Sequence, residues 1–141
     1  MRRLIPVLLL ALTCGLACDD RSYREIGRAI DALTKKTGEL PGPAIARLAS
    51  IGRRAVPQIE TALHTASARG KVNLVSALAA IGEPESAAIL QHFAVYDAHP
   101  EVRSACEELL AKWAAANDPR AAAAKLALAR IEEKRRLGHA E

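Results

Sequence analysis

The feature that most narrows what this chain can fold into is a short string that returns after 30 positions: Leu48-Ala49-Ser50-Ile51-Gly52 reappears as Leu78-Ala79-Ala80-Ile81-Gly82. The correspondence extends outward at the same offset, from Ile45 to Val75, from Ile59 to Ile89 and from Leu63 to Phe93. A repeat of that length is one supersecondary unit that cannot cover its own apolar face, so successive copies stack and share a core. Inside a unit, Ile45, Leu48 and Gly52 fall at i, i+3 and i+7; after a break, Val56, Ile59, Leu63 and Ala66 resume the helical spacing. Each unit therefore reads as two helices.

The punctuation agrees. Gly52 and Gly82 stand where a helix needs a residue tolerant of positive φ just past its end. Pro84 is expected at the start of the next helix, where its missing N–H costs nothing, and Pro57 within the first turn of its own. No regular apolar-polar alternation competes for strand, and Ala, Leu, Lys, Arg and Glu favour helix almost throughout. A short stack needs end caps. Ile26, Ile30 and Leu33 mark one helix before the repeats, and Ala121, Ala124, Leu128 and Ile131 mark a long one after them. Lys134, Arg135 and Arg136 complement the dipole of that last helix.

The run Ala44-Ile45-Ala46-Arg47-Leu48-Ala49-Ser50-Ile51-Gly52, followed by Ala55-Val56-Pro57-Gln58-Ile59, resembles a HEAT repeat, as does Asp97-x-His99-Pro100-Glu101-Val102-Arg103-x-Ala105. The short phycobilisome-lyase type is the nearest in pattern, over about residues 41 to 115. The resemblance implies an all-α chain, a short α-α solenoid of about seven helices, with repeats and C-terminal cap over 41–137 and a tail at 138–141. The third unit departs from the pattern: Trp113-Ala114 stands for Ile-Gly, and its second helix is expected to begin at Asp118-Pro119.

Residues 1–17 read as an export signal, with Arg2 and Arg3 ahead of an apolar run from Leu4 to Leu16. That run is shorter than the roughly 20 residues needed to span a bilayer. Leu16-Ala17-Cys18 resembles a lipoprotein processing site, which makes Cys18 the candidate lipidation site; Gly15 departs from the usual aliphatic residue, and Gly15-x-Ala17 equally suits an ordinary signal peptidase. The lipid reading is preferred because a cysteine sits at the cut. It places residues 18–40 as a lipid-anchored N-terminus and capping helix on the periplasmic side of a bacterial membrane; the alternative is a soluble periplasmic or secreted protein. Loss of Arg2 and Arg3 takes 20 basic against 16 acidic residues to 18 against 16. So small a surplus argues against nucleic acid as a partner. Cys106, the remaining thiol, fits a small core residue.

Groups that could do chemistry are few. His64, His92, His99 and His139 lack zinc-site spacing, and there is no paired cysteine motif, phosphate loop or nucleophile elbow. Asp97-x-His99-x-Glu101 is better read as a turn into a helix, with Asp97 capping, than as a metal site. No catalytic residue, metal or cofactor is expected, and the chain is taken as a non-enzyme. The phycobilisome-lyase resemblance raises bilin attachment or an enzyme accessory role as the alternative; a purely structural spacer is the third reading. In HEAT-like stacks the second helix of each unit lines the concave side. Gln58, Thr61, His64, Gln91, His92 and Tyr96 are accordingly the candidate contacts for an unidentified envelope protein, with Tyr96 foremost because tyrosine is enriched among residues that dominate binding.

Overall fold

The structure is a computed structural model that describes residues 5–35 and 40–138, with side chains from residue 20 onward. Arg2, Arg3, the Cys14 and Cys18 thiols and the tail beyond Gly138 lie outside the described residues. Among the described residues seven α-helices follow one another: α1 (Ile5–Thr34), α2 (Pro41–Ile51), α3 (Val56–Thr65), α4 (Ala68–Ile81), α5 (Ser86–Tyr96), α6 (Pro100–Ala114) and α7 (Arg120–Gly138), with a 3-10 turn at Gly52–Ala55. The described residues contain no strand.

The helices form two layers. α2, α4 and α6 lie side by side in one, α5 and α7 pair in the other, and α3 packs back on α4 as α5 and α7 do on α6. α1 lies across α2, α3 and α4, burying Ile26, Ile30 and Leu33. Its C-terminal end is tied down by Asn73, whose side-chain N–H donates to the Leu33 carbonyl at 3.0 Å and so satisfies an orphan helix-end acceptor. Gly70 lets the helices approach closely at this corner, since a Cβ there would lie 3.2 Å from the Thr34 Cα, tighter than an ordinary contact.

Both repeat glycines adopt the conformation their positions demand, with φ of 71° at Gly52 and 73° at Gly82. Each donates its N–H back to the carbonyl of Leu48 or Leu78 and closes the preceding helix. The turns that follow differ. Gly52 leads through the 3-10 turn into α3, which carries Pro57 in its first turn. After Gly82, Pro84 lies in a turn two residues ahead of α5 and not in the helix; its carbonyl accepts from the Ala87 N–H at 3.1 Å. The third unit has no positive-φ residue: α6 runs out through Ala115. Instead the Asp118 carboxylate takes the Arg120 N–H at 2.8 Å and the guanidinium, which in turn lies 5.5 Å from the Trp113 ring centroid. This clamp sets the entry of α7, which begins at Arg120 and not at Asp118-Pro119.

One core runs the length of the stack. Leu48, Ile59, Leu63, Leu74, Leu78, Leu90, Val102, Cys106, Leu110 and Ile131 are all fully buried, and Trp113 is buried with them. The repeat positions Leu48 and Leu78 are equivalent in this respect, as are Leu63 and Phe93, but Ile89 is only half-buried while its neighbour Leu90 is enclosed. α5 is covered by both α6 and α7, so Ala87, Leu90 and Ala94 face inward.

Candidate interaction surface

The exposed sides of α3 and α5 meet in a strip of rings. Phe93 is buried and forms its floor; the His64 ring lies 5.1 Å from it and the His92 ring 5.3 Å, centroid to centroid. His64 and His92 are 6.0 Å apart across the two helices, and Tyr96, one turn beyond His92, is 5.2 Å from it. Tyr96 is 61% exposed, so it stands out from the fold and does not pack down onto Phe93. Of the six residues singled out in the sequence, three are thus brought together. Thr61 lies one turn before His64 on the same side of α3, and its hydroxyl donates to the Pro57 carbonyl at 3.0 Å; Gln58, six residues before His64, is half-buried and about 120° round the helix from it. Gln91 is half-buried and about 100° around α5 from His92, outside the ring strip.

Beneath the strip lies a polar network that the sequence reading misplaced. Asp97 does not cap α6; His99 occupies that position, and Asp97 turns inward with its side chain 1% exposed. It accepts from Lys71 Nζ at 2.5 Å and from the His99 N–H at 2.9 Å, with His99 Nδ1 3.0 Å away. Arg103 donates to the Asp97 carbonyl at 2.7 Å. Burial by itself would raise the Asp97 carboxyl, but the hydrogen bonds from Lys71 and His99, with the lysine charge, hold it below the ordinary carboxylate value. Lys71 Nζ also lies 5.7 Å from the Phe93 centroid, so one ring separates this pair from the exposed strip. Both Asp97 oxygens are engaged within the fold, Glu101 points to solvent, and no three metal-type side chains converge among the described residues.

Beyond Tyr96 the surface opens into a groove of about 550 Å³ lined by Ala94, Val95, Tyr96, Arg103, Lys134, Arg135 and Leu137. The basic end of α7, accounted for in sequence by the helix dipole alone, forms one wall of it. Only the packing of α7 parallel to α5, which no local pattern announces, brings these cations beside Tyr96.

Two layers of helix pairs on a continuous core, with the first helices of two units closed by glycine, define an α-α solenoid. The match to the family model of HEAT repeats over residues 19–111, about two thirds of the chain, places it in a named class: the chain belongs to the HEAT repeat family. Neither the curated proteins nor the solved structures contain a significant match. HEAT repeats generally serve as protein-interaction scaffolds and are typically non-catalytic. No helix among the described residues is long and apolar enough to cross a membrane.

Proposed function

We propose that this chain is a protein-interaction module tethered to the periplasmic side of a bacterial membrane by an acyl chain on Cys18, and that it seats an envelope protein on the ridge of His64, His92 and Tyr96. The observation that carries the binding part is the ridge itself: three exposed rings from two helices held on a buried aromatic floor. Rigid aromatic side chains lose little conformational entropy on binding and present both apolar and hydrogen-bonding surface, the combination found where a few residues dominate an interface. Gln58, Thr61 and Gln91 flank the ridge as adaptable polar contacts. The tether is supported by the apolar run ahead of Cys18 and by the small residues at the expected cut.

The two parts are tested separately. Photo-crosslinkers at Tyr96 and His92, in cells carrying the full chain, should trap one partner, and that adduct should vanish in a Tyr96→Ala, His64→Ala variant that melts like wild type. Equal crosslinking from the convex helices α2 and α4 would refute the ridge. For the anchor, Cys18→Ala should release the protein into the soluble fraction; unchanged membrane retention would refute lipidation.

A further inference from the structure

The outer face of α7, the last helix of the stack, lies past the end of the HEAT match and is left uncovered. Its inner face is filled by Ala124, Ala127 and Ile131. A side about 120° round the helix from these carries Leu126, 54% exposed, and Leu137, 61% exposed and shared with the groove beside Tyr96, with Ala129, Arg130, Glu133 and Arg136 between them along one shallow groove. Two large apolar side chains thus stand in water on one stripe of a helix whose other side already supplies its core contacts. Arg130 and Glu133 form no ion pair among the described residues.

The spacing of these four residues has a symmetry. Leu126 and Leu137 lie equally far from the point between Ile131 and Glu132, and so do Arg130 and Glu133. A two-fold axis through that point, perpendicular to the helix, lays one α7 antiparallel on another. Each Leu126 then meets Leu137 of the second copy, and each Arg130 meets Glu133 of the second copy, twice over. Such an isologous interface needs a patch complementary to itself in both shape and charge. We infer that a second copy of this chain docks antiparallel on the outer face of α7, with two leucine contacts and two reciprocal ion pairs. The stripe is only about 16 Å long at 1.5 Å per residue, too small for a standard stable interface. The dimer is therefore weak in solution and strengthened wherever chains are held at high local concentration.

Sedimentation equilibrium of the full chain, from about 10 µM to about 1 mM, reads the association directly. Arg130→Glu sets carboxylate against carboxylate at both ends of the pair, and Glu133→Arg sets cation against cation; each should weaken dimerisation by about tenfold or more. The double swap R130E/E133R restores complementarity and should return to within about threefold of wild type. An equimolar mixture of the two single variants should form the mixed dimer that neither forms alone. All four positions are exposed, and matched thermal melts will show that the fold is kept. A chain that stays monomeric throughout this range, or associates equally in wild type and all charge variants, overturns the proposal. These variants leave the α3–α5 ridge untouched, so the outcome is independent of the partner reading.

Discussion

The Lys71–Asp97 pair offers the sharpest test of the packing. Asp97→Asn keeps an acceptor for the His99 N–H but removes the charge that faces Lys71 Nζ. An ammonium stranded in a protein interior costs about 3–5 kcal/mol. The Lys71 side chain is 11% exposed, so its end can shift toward water, and the lower end of that range applies, about 3 kcal/mol. At about 3–5 °C per kcal/mol for a domain of this size, the melting midpoint should fall by about 10 °C. Adding Lys71→Met removes the stranded charge and leaves an apolar chain on Phe93, so the double variant should regain at least half the loss. The pH dependence has a defined sign. Because the folded-state carboxyl titrates below its ordinary 3.8, its contribution is fully present above about pH 5 and is lost as the pH falls through that lowered value. The stability gap between wild type and Asp97→Asn, followed by circular dichroism, should thus be full at about pH 5 and close in stronger acid. A gap that widens in acid, or losses from Lys71→Met and Asp97→Asn that simply add, would falsify the pairing.

Three further outcomes follow from burial and backbone geometry. The Ser86 hydroxyl is fully buried without a hydrogen-bond partner, so Ser86→Ala should raise stability by about 1 kcal/mol in a urea titration; destabilisation would mean that a water or carbonyl serves it. Gly82→Ala forces a side chain into a left-handed conformation and against the Arg120 guanidinium 3.3 Å away, a loss of about 1–2 kcal/mol, whereas Gly27→Ala, in open helix, should be neutral or stabilising. Cys106 has its thiol pushed up to about 12 by burial first and by Asp97 and Glu107 next, so peptide mapping should find it unlabelled by a thiol reagent at neutral pH until the chain is unfolded.

How much of this was legible in the sequence depends on whether the information is local. The glycines at 52 and 82 are local signals, since positive φ past a helix end selects glycine whatever surrounds it, and the helix boundaries near them were readable. The apolar spacing likewise marked residues that enter the core, Leu48, Leu78 and Cys106 among them. Asp97 was misread for the opposite reason. An aspartate before Pro100 looks like a cap by local rules, and only the distant Lys71, brought alongside by the packing of α4 on α6, turns it inward. The offset that pairs Ile59 with Ile89 fails at burial because α5 packs closely on both helices of the unit that follows it, α6 and α7, whereas α3 packs chiefly on α4.

The ring strip and the buried pair are not independent, and this bears on how binding variants should be read. Phe93 contacts His64 and His92 on one side and Lys71 on the other, so its position depends on the ion pair below as much as on the rings above. A variant at Asp97 or Lys71 that abolishes partner capture would therefore say little about contact, because the floor of the ridge moves with it. Tyr96→Ala is cleaner: its ring touches His92 but is mostly in solvent, so truncation removes surface while the floor stays in place. If the ridge is the binding face, Tyr96→Ala should lose the partner with the melting point unchanged, and the Lys71→Met, Asp97→Asn double variant should recover binding in step with stability. Binding that tracks stability in every variant, Tyr96→Ala included, would mean that the ridge contributes only structure.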